Sequence, residues 1–344
     1  MPRFHELIDQ ERPLRILSGI LTKGNIPHAF LLTGIDGIGK RSTAIHFAMA
    51  RNCHGLKHDG GASGTRDMMT TPCGQCGACV KIMAGSHPDV LMIEPAGDVI
   101  KIAQIRELSR RLAFQPQEGG AARVVIISDA QAMNVEAANA LLKALEEPPP
   151  LTFFFLTAGQ PADLLPTVVS RCQHIRFNPV STEKIERFLT EHHGISPTTA
   201  RPAAILADGS MARALDLSER PETLHGMERR RQWLAAEMAG LPSYPIPRIL
   251  LFAQKLAADK NDLPDFLRLI KGLLRDAAIC GTCPEKLINT DLREAIEEMA
   301  RKNSLSAIFD KITAVEEADQ AIRQHANQRL TLEALSIRLA DIAA

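Results

Sequence analysis

The sequence has little of what marks membrane-spanning or base-stacking proteins. Aromatic residues make up 4% of the 344 residues, with one Trp and one Tyr, which argues against a surface that stacks single-stranded bases. Lysine plus arginine and aspartate plus glutamate both number 40, so no net charge draws the chain to DNA or to an anionic membrane. No apolar run approaches the length of a membrane span or a signal-peptide core. We therefore expect a soluble cytoplasmic protein.

The chain has seven cysteines. In a reducing compartment these thiols are better candidates for metal ligands or core residues than for disulfides. Hydrophobic residues make up 45% and charged residues 23%, which excludes the disordered and collagen-like classes. The length predicts about two to three globular domains.

The first half of the chain alternates short apolar runs with amphipathic helical stripes. Four runs predict strands, at residues 29–33, 90–93, 124–127 and 153–156, and helical spacing recurs over 102–112 and 137–145. Continuous apolar strands separated by helices predict a parallel sheet that is covered on both faces. After about residue 178 the pattern is helical.

We therefore predict three modules: an α/β domain over residues 1–178, a small helical domain over 179–220 and an all-α domain over 221–344. Residues 55–71, rich in glycine and small polar side chains, are expected to form an inserted surface loop.

A glycine-rich loop follows the first predicted strand and precedes a predicted helix. It has the GxxxxGK pattern, whose backbone N–H groups wrap phosphates and whose lysine, Lys40, reaches the β- and γ-phosphates. The next residue is Arg41, where a magnesium-dependent loop has Ser or Thr. Nucleotide binding without hydrolysis is therefore expected. The candidate binding residues here are Gly34, Gly37, Gly39, Lys40 and Arg41.

The acidic segment after the third predicted strand is incomplete as well. A hydrolytic P-loop protein of this kind normally ends that strand with Asp-Glu, and here the residues are Ser128-Asp129-Ala130. If Asp129 is the acid that holds the metal, Ala130 has replaced the base. If Asp129 stands at the base position, Ser128 has replaced the metal ligand. A third reading makes Asp129 a cap of the turn after the strand.

Three cysteines at CxxCxxC spacing form the strongest metal signal. Cys73, Cys76 and Cys79 lie close together, with Cys53 upstream. Four thiolates complete a tetrahedral zinc site and leave no open position for water, so a structural zinc ion bound within an insertion over 53–79 is predicted. An iron–sulfur cluster is the alternative for three close cysteines.

Several motifs, in order along the chain, resemble one family. They are residues 28–34, the loop through Lys40, the four cysteines, Ser86-His-Pro-Asp89, the run 139–148 ending in Leu-Glu-Glu-Pro, and Ser170-Arg-Cys172. Together they resemble the delta-prime subunits of the bacterial DNA polymerase III clamp loader, in the AAA+ superfamily. The resemblance covers roughly residues 5–220. It implies that the three modules are a P-loop AAA+ domain, a helical lid and a helical collar for oligomerisation.

The resemblance also implies a ring in which ATP lies between neighbouring subunits. Arg171 then acts as an arginine finger supplied in trans to the next subunit's ATP site. Thr157 fits the polar sensor position of the nucleotide site. The lid arginine expected in a Gly-Ser-x-Arg stretch is displaced, with Ala212 at its place and Arg213 one residue late.

The favoured prediction is a largely non-hydrolysing stator in sliding-clamp loading, within the DNA-directed DNA polymerase III holoenzyme. The implied partners are gamma/tau ATPase subunits and delta, with the sliding clamp and primed DNA reached through the hetero-oligomer. Zinc and ATP are the expected cofactors, and the sequence leaves open whether the chain is itself an enzyme. The alternative is a catalytically active motor subunit. A third reading, a zinc-dependent DNA-binding or redox protein, fits the neutral charge and scarce aromatics poorly.

Overall fold

The computed structural model describes residues 10, 13, 15–17, 27–55, 72–116, 122–258, 263–324 and 326–340. These residues form two compact units. One extends to Lys184 and includes residues 209–213, and the other comprises residues 185–208 and those from 214 onward. The module boundaries expected at 178 and 220 stay predictions, and most of the predicted surface loop, residues 56–71, lies outside the described residues.

A sheet of five parallel strands organises the first unit, with the order β2-β3-β4-β1-β5. The strands are β1 (Ala29–Thr33), β2 (Val90–Ile93), β3 (Arg123–Ile127), β4 (Thr152–Ala158) and β5 (Gln173–Arg176). The first four confirm the predicted strands, and β3 and β4 are slightly longer than predicted. β5 was missed because it is an edge strand in which only Ile175 is buried, so it lacks the apolar run that marks a central strand.

Helices cover the sheet between the strands. They are α1 (Lys40–Asn52), α2 (Gly77–Met83), α3 (Ile102–Leu112), α4 (Val135–Glu146) and the short α5 (Pro166–Val169). Asn134 precedes α4 as its N-cap, and its side chain accepts a hydrogen bond from the Ala137 N–H at 2.9 Å. The helix ends just before three prolines that cannot continue a helix.

Phenylalanines fix α1 on the sheet. The Phe47 ring of α1 lies 4.8 Å from Phe155 and 5.3 Å from Phe153, and Phe30 stacks on Phe155 at 4.9 Å, all between ring centroids. Such pairs combine large apolar burial with preferred ring geometries. The start of α1, and with it the glycine-rich loop, is therefore held at a defined place beside β1 and β4.

The rest of the described chain is helical. It contains α6 (Thr182–His193), α7 (Pro197–Leu206), α8 (Met211–Glu219), α9 (Pro221–Gly240), α10 (Ile246–Ala257), α11 (Leu263–Ile279), α12 (Arg293–Lys302), α13 (Leu305–Arg323) and α14 (Gln328–Leu339). Apolar side chains from α9 to α14 share one core. At its border the fully buried Asp276 accepts hydrogen bonds from the Asn289 N–H and side-chain amide, each at 2.8 Å. Asn289 Oδ1 in turn accepts one from Arg231 at 2.8 Å.

The predicted fold class is confirmed, with a parallel α/β P-loop domain followed along the chain by helical structure. Within the described part of the chain, no helix is both long and apolar enough to cross a membrane.

Candidate functional site

The loop after β1 has a backbone that favours glycine. Gly34, Gly37 and Gly39 have φ angles of 145°, 74° and 103°, a region that side chains with a Cβ rarely adopt. A Cβ on Gly34 would lie 2.8 Å from the carbonyl oxygen of Phe177. The loop leads into α1 at Lys40, so its N–H groups and a helix N-terminus meet at the carboxyl edge of the sheet, where α/β proteins bind ligands.

Lys40 is buried inside the curve of this loop. Its Nζ donates to the carbonyl oxygens of Gly34 at 2.5 Å and Ile35 at 3.1 Å, and lies 3.4 Å from Asp36 Oδ1. The ammonium is therefore held where the loop's N–H groups would meet a phosphate, and the structure brings the predicted glycines and lysine together.

Arg41 reaches across the edge of the sheet. Its Nη2 lies 2.5 Å from Glu94 Oε1, and Glu94 directly follows β2. The Ser128 N–H donates to the carbonyl oxygen of Ile93 at 2.9 Å, so Glu94 adjoins the end of β3. The position that supplies a metal-binding hydroxyl in magnesium-dependent loops therefore carries a guanidinium paired with a carboxylate.

The end of β3 is bonded to β4 through Thr157. Asp129 has a left-handed backbone with φ of 51°, and its N–H donates to Thr157 Oγ1 at 3.1 Å. Thr157 and Ala130 are buried. The predicted sensor residue, Thr157, therefore lies beside Asp129. If Asp129 is the acid that holds the metal, the next position would carry the second carboxylate, and here it carries the buried methyl group of Ala130.

The segment 209–213, which belongs to the same compact unit, packs on the glycine-rich loop. The Ala212 N–H donates to the carbonyl oxygen of Gly37 at 3.1 Å. A Cβ on Gly37 would lie 2.9 Å from the Ala212 Cβ and 2.4 Å from Ser210 Oγ. The residue that faces the loop is thus an alanine, while Arg213 is the next residue along the helix.

Four cysteines come together at the end of α1 and the start of α2. Their sulfurs all lie within 4.8 Å of one another, with Cys53 Sγ 3.5 Å from Cys73 Sγ and 4.0 Å from Cys76 Sγ. The Cys73 N–H donates to Cys53 Sγ at 3.3 Å. This set of soft ligands, completed by Cys79, could hold one metal ion.

The thiols of this cluster have very different environments. Backbone N–H groups of Gln75 and Cys76 lower the pKa of Cys73. Burial opposes ionisation of Cys76, but N–H groups of Cys79 and His54 outweigh it and lower its pKa to about 6. Burial raises the pKa of Cys79 above its usual range. Part of the cluster is thus already stabilised as thiolate, the form that binds metals.

Arg171 lies at the other end of the sheet from the glycine-rich loop. It precedes β5, whose first residue, Gln173, pairs with Phe30 near the start of β1. The loop begins at Gly34, four residues beyond Phe30, a distance of about 13 Å along a parallel strand. The Arg171 side chain is about a third exposed and forms an ion pair with Glu146, and its Nη1 donates to the Thr167 carbonyl oxygen at 2.8 Å.

Comparison with known proteins agrees with these features. A family model for "DNA polymerase III, delta subunit" matches residues 9–181, and one for "DNA polymerase III, delta subunit, C terminal" matches residues 243–341. Subunit delta' of DNA polymerase III from Bacillus subtilis is 30% identical and aligns with 96% of this chain and 96% of its own length. The chain belongs to the DNA polymerase III delta-prime family.

Coverage separates the delta-prime family from a related subunit. DNA polymerase III subunit delta' of Escherichia coli is 28% identical over 91% of this chain and 88% of its own length. Subunit tau of Bacillus subtilis is 30% identical over 83% of this chain but only 48% of its own length. The chain therefore matches these two delta-prime proteins over most of their length and tau over about half of tau.

Two acidic partners in this delta-prime family member were not predicted from the sequence. Glu94 pairs with Arg41, and Glu146 pairs with Arg171. A signal for Glu146 was present, because it belongs to the Leu-Glu-Glu-Pro run that carries the resemblance. Glu94 had only its place after β2, which does not indicate a partner 53 residues earlier in the chain.

Proposed function

We propose that this chain is the delta-prime subunit of a DNA polymerase III clamp loader and acts there as a largely non-hydrolysing stator. It supplies Arg171 as an arginine finger to ATP bound by a neighbouring subunit. The observation that carries this proposal is the place of Arg171 at the end of the sheet opposite to the chain's own glycine-rich loop. At that distance it cannot serve its own phosphates, and its exposure leaves it accessible to a neighbour.

The chemistry of the finger is electrostatic. A guanidinium beside the γ-phosphate stabilises the charge that spreads over the phosphoryl oxygens in the transition state, an effect of about 10³ to 10⁵ in rate. The Arg171 side chain offers its N–H donors in a planar fork. The neighbour supplies the remaining catalytic groups.

The chain's own nucleotide site is proposed to bind phosphates without turning ATP over. Gly34, Gly37 and Gly39 let the loop approach the phosphates, and Lys40 supplies a cation. Two departures weaken hydrolysis. Arg41 takes the place of a metal-binding hydroxyl, and the segment after β3 has one carboxylate instead of two.

The four cysteines are proposed to hold a structural zinc ion. A tetrahedral site with Zn–S bonds of about 2.3 Å places its sulfurs about 3.8 Å apart, and the two measured separations from Cys53 Sγ, 3.5 and 4.0 Å, bracket that value. With all four positions taken by thiolates, the ion would stabilise the segment and have no catalytic role.

The partners proposed for this chain are gamma/tau ATPase subunits and delta, through the α/β domain over 1–178 and the helical collar over 221–344. The proposed lid over 179–220 lies between these two domains along the chain. The sliding clamp and primed DNA would be reached through the assembled complex, in the cytoplasm.

The finger is tested in a clamp loader reconstituted from the organism's own subunits. We expect Arg171→Ala to leave the chain folded and to slow ATP turnover at the neighbouring site about 10³-fold or more, measured as the loss of that site's share of clamp- and DNA-stimulated ATPase. Arg176→Ala, at the other end of β5 and exposed, is the matched control. Unchanged turnover in the Arg171→Ala complex would refute the assignment.

The motor alternative is tested with the isolated chain and magnesium. The stator predicts no turnover above background. An ATPase rate that disappears on Lys40→Ala would establish the motor instead, because Lys40 lies in this chain's own phosphate loop.

A further inference from the structure

The last turn of α4 carries two adjacent carboxylates to which the proposed function gives no role. Glu146 and Glu147 belong to the Leu-Glu-Glu-Pro run, yet they differ in the structure. Glu146 forms an ion pair with Nη2 of Arg171. Glu147 is the C-cap of the helix, and its N–H donates to the carbonyl oxygen of Lys143 at 3.1 Å.

The Arg171 guanidinium is held from two sides. Its Nη1 donates to the Thr167 carbonyl oxygen at 2.8 Å and lies 3.4 Å from Ser170 Oγ, while Glu146 accepts from Nη2. Both terminal nitrogens are therefore fixed, one from α5 and one from α4. A guanidinium has five N–H donors, so this arrangement fixes the plane of the fork and leaves donors for an outside acceptor.

Glu146 itself stands on a rigid support. The residue before it, Leu145, is buried, and its carbonyl oxygen lies 2.7 Å from His28 Nε2 at the start of β1. The end of α4 is thereby attached to the start of β1, an interior strand of the sheet. A carboxylate on such a support holds a long, flexible side chain better than one on a loop would.

We propose that Glu146 is a positioning residue for the arginine finger. This inference rests on the proposed function of Arg171 and adds to it. An arginine side chain loses rotamer freedom when it is ordered, and Glu146 has already imposed that order before a neighbour's phosphate arrives. Partly exposed ion pairs add little to the free energy of unfolding. The role of Glu146 is therefore to orient the Arg171 side chain and not to stabilise the fold.

The test compares Glu146→Ala with the matched Glu147→Ala in the reconstituted clamp loader, each alone and combined with Arg171→Ala. We expect Glu146→Ala to lower the kcat of the finger-dependent ATPase about five-fold with little change in KM, and Glu147→Ala to leave both unchanged. In the Arg171→Ala background, Glu146→Ala should have no further effect. Glu146→Gln, which keeps an acceptor oxygen, should restore part of the rate.

Three outcomes would overturn the inference. An unchanged rate in Glu146→Ala would show that the pair does not matter, and a faster rate would show that Glu146 restrains the finger. A loss that persists in the Arg171→Ala background would show a structural effect. If Arg171→Ala alone has no effect, the proposed function fails first, which keeps the two failures distinct.

Discussion

At the residue scale, Arg41 is the side chain that argues most strongly against magnesium binding at the glycine-rich loop. A hydroxyl at this position could bind a magnesium ion beside the triphosphate, whereas a guanidinium has no lone pair to offer a metal. Its ion pair with Glu94 also directs the charge toward the end of β3. The proposed function therefore gives the loop a phosphate-binding backbone without metal-dependent chemistry.

His46 is a single residue from which we predict how the free energy of unfolding depends on pH. Burial in α1 lowers its pKa from 6.5 to about 4, so the unfolded chain takes up this proton at a higher pH than the folded chain. The contribution of the neutral His46 side chain to the free energy of unfolding is therefore complete above pH 6.5. This contribution is lost as the pH falls toward 4, by up to about 3 kcal/mol. Urea unfolding at pH 7 and pH 4.5 measures this loss. His46→Gln should show a smaller loss between the two values, and an equal loss would contradict the prediction.

At the element scale, the cysteine cluster joins the end of α1 to the start of α2. We expect zinc chelation to increase hydrogen exchange in α2 (Gly77–Met83) while the five strands keep their protection, because the sheet has its own apolar core. Cys76→Ser should lose the metal and reproduce this change. Cys280→Ser, outside the cluster, should keep one zinc per chain. A general loss of helical circular dichroism on chelation would count against a local role.

Asp276 is the corresponding element-scale anchor in the helical unit. It is fully buried and accepts from the backbone N–H groups of Ile288 and Asn289 as well as the Asn289 amide. Asp276→Ala leaves these buried donors without an acceptor, so we expect a loss of about 3 kcal/mol in unfolding free energy. Asp265→Ala removes a partly exposed carboxylate from the same helix and should cost less than about 1 kcal/mol. Equal losses in urea titrations would refute the anchor.

At the scale of the whole molecule, the balance of 40 basic and 40 acidic residues favours partner surfaces over DNA. Binding of the isolated chain to duplex DNA should be weak and depend little on salt, because few counterions are released when few phosphates are neutralised. A titration over 50 to 200 mM salt measures this slope. A steep decline of affinity with salt would contradict the prediction.

The local features of this protein followed from its sequence, because strands, helices and loops depend on neighbours within a few residues. The apolar runs predicted four of the five strands, and the glycines at 34, 37 and 39 and the cysteine spacing predicted two sites whose residues the fold brings together. The apolar runs did not predict the polar edge strand β5, because only one of its residues is buried.

Only the tertiary structure decided how these parts face one another. Placing β1 between β4 and β5 sets Arg171 at the opposite end of the sheet from the glycine-rich loop. The same packing pairs Arg171 with Glu146 and Arg41 with Glu94, and it sets Ala212 against Gly37. These contacts join residues far apart in the chain, so they depend on strand order and helix placement, which no local pattern encodes.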